Sequence, residues 1–308
     1  MTEHEETAVT THIELQQIGE LPCWHIRHQG AQLLVAEQGA QILAYQRDDA
    51  QPLIWLSEQV EYRKGQGLRG GVPVCWPWFG ALERNPGEVQ AMRRSDQSAP
   101  AHGLVRTLDW QLKDIGAQGD AVIAEFCFDT REQPLPDWPH AIALTLRIRL
   151  DQRLHLELTS HNHGPLPVFI SQALHTYFAV SDIHQVQVEG LHGCRYIETL
   201  HNWENRLQHG PLQFSGETDR IYLDVPSQLG IRDPQWQRRI HLQSSGSQSA
   251  VVWNPWIEKS RHLSQFDANA WPGMLCIETA NVLEDRLELA PGGQHSLTLT
   301  LWESCLDV

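Results

Sequence analysis

The sequence predicts an all-β protein, folded as one large antiparallel sandwich. Three observations carry that expectation. Apolar residues recur with a period of two over long stretches, which is the period of a half-buried strand. Helical periodicity is hard to find anywhere in the chain. The 22 glycines and 17 prolines are scattered, so turns are spaced and no segment reads as a linker or a fixed-period repeat.

Residues 1–10 read as a polar tail, with a single domain over 11–308. Val122, Ala124, Phe126 and Phe128 alternate as one strand. Ile142, Leu144, Leu146, Ile148 and Leu150 form a longer run, Asp151-Gln-Arg153 supplies a turn, and Leu154, Leu156 and Leu158 resume the alternation. That is a long hairpin with one apolar face. A short turn or helix is expected within 256–267. Leu287 and Leu289, then Leu297, Leu299 and Leu301, flank Pro291-Gly-Gly293 in the same hairpin style. Periodicity does not choose between a sandwich, a barrel and a jelly roll.

Composition excludes several classes. With 41% hydrophobic residues the chain is expected to fold rather than stay disordered. A net charge of −15 repels nucleic acid and anionic membrane, so any anionic substrate needs a local arginine or lysine cluster. The six cysteines form no Cys-x-x-Cys pair and read as free thiols of a reducing compartment. The acidic start lacks a secretory pattern, and no apolar run reaches membrane-span length, so a soluble, cytoplasmic and monomeric protein is expected.

Six places carry candidate chemistry. Glu278 sits in the apolar run Met274-Leu-Cys-Ile-Glu-Thr-Ala-Asn281, where a carboxylate is rare unless paired; burial would raise its pKa and make it a usable base. A structural salt bridge is the alternative. His175 lies in the similar run Ser171-Gln-Ala-Leu-His-Thr-Tyr-Phe178. An imidazole and a carboxylate on rigid strands are the minimum set for moving two protons together.

In Leu68-Arg-Gly-Gly-Val-Pro-Val-Cys-Trp-Pro-Trp-Phe-Gly80, the glycines beside Arg69 would let backbone and guanidinium approach a ligand, and Trp76, Trp78 and Phe79 offer flat faces for a pyranose. A Pro-rich crossover packed in the core is the alternative. In Ala101-His-Gly-Leu-Val-Arg106, an extended strand would turn His102 and Arg106 to one face. Asp219 could accept sugar hydroxyls or be a turn residue, and Lys259 could reach an anion or lie exposed. No metal, nucleotide or serine-nucleophile motif occurs, so no metal or cofactor is expected.

Taken in order, Arg69-Gly-Gly-Val-Pro-Val-Cys-Trp-Pro-Trp-Phe-Gly80, His102-Gly-Leu-Val-Arg106, Ala173-Leu-His-Thr-Tyr-Phe178, Val252-Trp-Asn-Pro-Trp-Ile-Glu-Lys259 and Pro272-Gly-Met-Leu-Cys-Ile-Glu-Thr-Ala-Asn281 resemble the glucose-6-phosphate 1-epimerase (hexose-6-phosphate mutarotase) family of the aldose 1-epimerase superfamily. The resemblance implies a galactose-mutarotase-like β-supersandwich. It implies catalytic roles for His175 and Glu278, and substrate contacts by Arg69, His102, Arg106 and Asp219. The implied activity is exchange of hexose 6-phosphate anomers without a cofactor; a non-catalytic carbohydrate-binding protein and a mutarotase for free aldoses are the alternatives. Relatives often carry Gln where this chain has Ala101, which puts one hydroxyl contact in doubt. Glu278 would take the O1 proton and a protonated His175 would give one to O5, its charge favoured by Glu278 and by the acidic chain.

Overall fold

The computed structural model describes residues 11–306; the polar tail expected over residues 1–10 lies outside them. Two large sheets dominate. The eight-stranded sheet runs in the order Gln187–Glu189, Gln228–Asp233, Arg238–Ser245, Gln294–Cys305, Leu154–Asn162, Ile142–Leu150, Ala121–Asp129 and Gln111–Gln118. The seven-stranded sheet runs Glu204–Leu207, Arg195–Glu198, Thr218–Leu223, Ser249–Asn254, Met274–Asn281, Gln172–Ala179 and Val74–Cys75. A four-stranded meander over residues 11–47 and a small pair, Val168–Ile170 with Leu287–Leu289, complete the sheets among the described residues.

The alternation read from sequence becomes the core of this sandwich. Ile142, Leu144, Leu146, Ile148 and Leu150 are all buried, and their strand pairs antiparallel with Leu154–Asn162 in the expected register, Leu150 opposite Leu154. These side chains join Leu174, Phe178, Leu275 and Ile277 of the seven-stranded sheet in one continuous apolar cluster. Fully burying each such side chain is worth roughly 1.5–3 kcal/mol, so this shared layer holds the two sheets together.

The strands Gln172–Ala179 and Met274–Asn281 are buried along their whole length, on both faces. One face belongs to the core. The other carries His175, Tyr177, Cys276 and Glu278, because residues two apart share a side of the sheet. Beside them the same face carries a separate small apolar cluster of Cys75, Ala173, Ile221, Leu223, Val251, Ala280 and Val282.

Four local expectations change. Leu287–Leu289 and Gln294–Cys305 are strands, but they do not pair with each other; the first pairs with Val168–Ile170 and the second with Leu154–Asn162 and Arg238–Ser245. His102 and Arg106 do not share an extended strand: His102 has φ 63° and Arg106 sits in the 3-10 turn Val105–Thr107. The glycines of the Arg69 segment are required by the chain's own close packing. A Cβ at Gly71 (φ 73°) would lie 2.1 Å from the Ile42 carbonyl oxygen, so only glycine fits there. Finally, Trp76 and Trp78 are 0% and 1% exposed, and Trp76 packs edge-on against Trp138 at 4.7 Å. They are core residues and offer no face to a sugar. The short helix expected within 256–267 is Trp256–Ser260.

Candidate active site

Strand register builds the site. His175 pairs directly with Glu278, which pairs across its other edge with Val251. Tyr177 pairs with Cys276, and Cys276 with Trp253, which pairs in turn with Asp219. His175, Glu278, Tyr177, Trp253 and Asp219 therefore stand on one face of the sheet, although they come from four strands spread over a hundred residues. They line a cavity of about 480 Å³ together with Arg69, Phe79, Arg84, His102, Trp203 and Lys259. That volume is in the range of a small-molecule site.

The imidazole and carboxyl sit together at its floor. His175 Nε2 is 3.4 Å from Glu278 Oε1, and Glu278 is 2% exposed. His175 Nδ1 and Glu278 Oε2 are buried and have no hydrogen-bond partner among the described residues. The ring of His175 stacks on Tyr177 at 4.8 Å and meets His102 edge-on at 5.2 Å, so its orientation is set from two sides. His102 is itself held by Gly80, whose backbone N–H donates to Nδ1 at 3.4 Å and whose carbonyl accepts the His102 N–H at 2.8 Å. With Nδ1 accepting, the neutral ring of His102 carries its proton on Nε2.

Burial sets the charge states. Desolvation first, then the nearby Asp219 charge, raises the Glu278 carboxyl well above the ordinary glutamate value. Desolvation, followed by His102, Arg106 and Arg69, lowers His175 well below the ordinary histidine value. His102 is pushed down to about 3 by burial, then by Arg106 and Arg69. Burial in the free site thus opposes the imidazolium expected at His175 when substrate binds. The long-range effect of net charge is weak beside the loss of water around a buried ring. These shifts all favour the uncharged forms of Glu278, His175 and His102.

The remaining candidates divide. Arg69 lines the cavity, with Nε donating to the Ser264 carbonyl at 3.3 Å and a second N–H to the Tyr177 hydroxyl at 3.5 Å. Arg106 does not line it; its guanidinium packs beside Gly67, 3.6 Å from where a Cβ would stand. Asp219 lines the cavity from inside the strand Thr218–Leu223 and lies 3.8 Å from Lys259, which also pairs with Glu217 at 3.0 Å.

Comparison with known proteins matches this geometry to one family. The family model for aldose 1-epimerase matches residues 22–302, nearly the whole chain. The chain belongs to the aldose 1-epimerase family. An Escherichia coli K12 protein named "Putative glucose-6-phosphate 1-epimerase" is 32% identical over 270 residues, covering 87% of this chain and 86% of that one. The crystal structure of a Salmonella typhimurium "putative mutarotase", YeaD, superposes with a TM-score of 0.85 at 27% identity, over 98% of this chain and 96% of that one. A galactose mutarotase-like protein from Clostridium acetobutylicum shares the fold at a TM-score of 0.74 and 14% identity, over 96% and 99% of the two chains. The fold is thus the galactose-mutarotase-like sandwich, and the protein is an epimerase.

Two features of this aldose 1-epimerase escaped sequence reasoning. Trp203 and Arg84 line the cavity from loops whose sequences carry no distinctive word. Only the loop paths bring them there. The second feature is a trio of donors, His175, Cys276 and Glu278, whose ligand atoms all lie within 4.8 Å of one another. Ligand spacing rules miss it because its members come from two strands. A thiol, an imidazole and a carboxylate suit a zinc-like ion. Burial raises the pKa of both Cys276 and Glu278, which works against the deprotonated forms that would bind such an ion. No helix among the described residues is long and apolar enough to cross a membrane.

Proposed function

We propose that this epimerase interconverts the α and β anomers of a hexose 6-phosphate, with glucose 6-phosphate the substrate of choice. The observation that carries the reading is the His175–Glu278 pair, 3.4 Å apart with one unpartnered atom on each side, at the floor of a sugar-sized cavity. Phe79, Tyr177, Trp203 and Trp253 supply apolar faces for the ring, and Asp219 supplies a hydroxyl acceptor. Arg69 and Arg84 are cations on the wall with no carboxylate partner among the described residues, which favours an anionic substrate over a free sugar.

The pair needs only one proton to do the work. At rest that proton is on Glu278. A sugar O1 hydroxyl that donates to the Glu278 carboxyl stabilises the carboxylate, because hydrogen bonds to a charged form favour it. The proton then moves to His175 across the 3.4 Å gap. Glu278 removes the O1 proton, the C1–O5 bond breaks with its electron pair going to O5, and His175 protonates O5. The open aldehyde turns about C1–C2. Reclosure on the other face returns both protons. Each positioned transfer is worth about 10²–10⁴ in rate.

The test is anomer exchange followed by proton NMR on glucose 6-phosphate and on glucose, with the uncatalysed rate subtracted. Faster exchange of the phosphate ester is expected. Sugar binding with no exchange above the uncatalysed rate would instead identify a carbohydrate-binding protein, and equal rates on both sugars would point to free aldoses.

A further inference from the structure

Beside the acid–base pair, the same strands carry a thiol that the proton transfers do not use. Cys276 precedes Glu278 by two residues on Met274–Asn281, so both side chains leave one face of the sheet. His175 stands opposite Glu278, and Tyr177 stands opposite Cys276. The imidazole is therefore directly across from the carboxyl and diagonal to the thiol. One ring nitrogen, the sulfur and one carboxylate oxygen all lie within 4.8 Å of one another.

That spacing is close to a coordination sphere. Zinc bonds of about 2.0–2.1 Å to nitrogen and oxygen and about 2.3 Å to sulfur, at tetrahedral angles, set the donor atoms roughly 3.3–3.6 Å apart. His175 Nε2 and Glu278 Oε1 are already 3.4 Å apart. The sulfur would close on its partners by roughly 1.2 Å at most, which a side-chain rotation supplies. Both strands are buried along their whole length, so the three donors start from fixed backbone positions. Glu278, 2% exposed, keeps Oε2 without a hydrogen-bond partner among the described residues. An unpaired buried oxygen is uncommon, and a bound cation satisfies it directly.

Charge selects the kind of ion. A thiolate and a carboxylate carry two negative charges, so a divalent ion makes the buried site neutral. In the ion-free chain burial favours the protonated thiol and carboxyl; a divalent cation reverses that preference at its own ligands. The two protons leave to solvent, the imidazole binds through its lone pair, and no electron changes hands. One sulfur with nitrogen and oxygen suits zinc, whereas magnesium and calcium take oxygen ligands. Three protein ligands leave a fourth position, which water from the cavity lined by His175 and Glu278 can fill.

We propose that His175, Cys276 and Glu278 form a zinc-binding site whose occupation switches the epimerase off. The ion takes the imidazole and the carboxylate that the reaction needs, and it competes with the sugar for one cavity. Cys276 is the member that sets the site apart: it holds the ion and has no part in the proton transfers. The proposal does not depend on which aldose is the substrate.

The experiment titrates zinc chloride into chelator-treated, full-length wild type, Cys276→Ala and Cys276→Ser, with anomer exchange followed by proton NMR. Wild type should lose exchange as one zinc binds, need more zinc at higher sugar concentration, and recover with EDTA. Both variants should exchange anomers normally without zinc. Loss of a direct ligand should raise the zinc needed for half inhibition by more than the roughly 10–100-fold that loss of an outer partner costs. A zinc-resistant wild type would overturn the proposal. So would variants inhibited at the wild-type zinc concentration, since the ion would then sit elsewhere, for example at the exposed Cys305. Cobalt(II) gives a readout that needs no turnover: a sulfur-to-cobalt charge-transfer band is expected in wild type and not in Cys276→Ala. Absence of that band from wild type, or its persistence in the variant, refutes the site. Should the variants not fold, displacement of the wild-type band by the sugar that the enzyme turns over decides, and a band the sugar leaves unchanged refutes the site. If neither glucose 6-phosphate nor glucose is exchanged, the substrate reading fails while the cobalt spectra still test the ion.

Discussion

Glu278→Gln removes one titratable proton and keeps the side chain's shape, so it separates chemistry from packing. The carboxyl is 2% exposed, with one oxygen 3.4 Å from His175 Nε2 and the other unpartnered. An amide fits the same space. Loss of one positioned proton transfer is worth about 10²–10⁴ in turnover, which is about 2.7–5.4 kcal/mol of barrier at about 1.36 kcal/mol per tenfold. Stability should move the other way. The folded pKa of Glu278 is raised, so its stabilising contribution is full below the unfolded value of about 4.3 and is lost as pH rises through the folded value. Glutamine has no such dependence. The variant should therefore gain on wild type with rising pH, by at most about 1.4 kcal/mol per pH unit within that window. Anomer exchange by NMR reads the first effect, and urea unfolding at pH 5 and pH 7 reads the second. A variant that exchanges anomers at the wild-type rate would remove Glu278 from the chemistry. A variant whose relative stability is the same at both pH values would show that the carboxyl is not held neutral in the fold.

Three further outcomes are expected. His175→Ala should lower kcat by about 10²–10⁴ with a smaller change in KM; a variant altered in KM alone would make His175 a binding residue. Arg69→Ala should weaken glucose 6-phosphate roughly ten- to a hundredfold and glucose far less; equal losses on both sugars would argue against a phosphate contact. His102 is held neutral down to about pH 3, so its contribution is full above the unfolded histidine value of about 6.5 and is lost as pH falls toward 3. Unfolding midpoints between pH 7 and pH 4 should accordingly fall less steeply in His102→Gln than in wild type, and identical slopes would refute the buried neutral ring.

Much of the fold was legible because strand burial leaves a local signature. Ile142 to Leu150 alternates in sequence and is buried in the same alternation. The strands of His175 and Glu278 were legible for a different reason: each places one polar residue in an otherwise apolar run, a costly arrangement that needs a compensating role. The tryptophans misled because aromatic residues serve cores and sugar platforms equally well. Trp76 and Trp78 went to the core, while Trp253 and Trp203 reached the cavity. The pairing of the last strands also misled, since Pro291-Gly-Gly293 reads as a tight turn whether or not its flanks meet.

By itself the sequence determined the strand content, the alternating apolar faces and the two polar residues, His175 and Glu278, set within apolar runs, because each of these is written within a few consecutive positions. Tertiary structure alone decided which arginine faces the cavity, which tryptophans lie at it, and how far burial shifts the His175–Glu278 pair from its ordinary titration. Those depend on long-range register, on the path of loops and on the removal of water by distant segments. None of the three is a property of neighbouring residues in the chain.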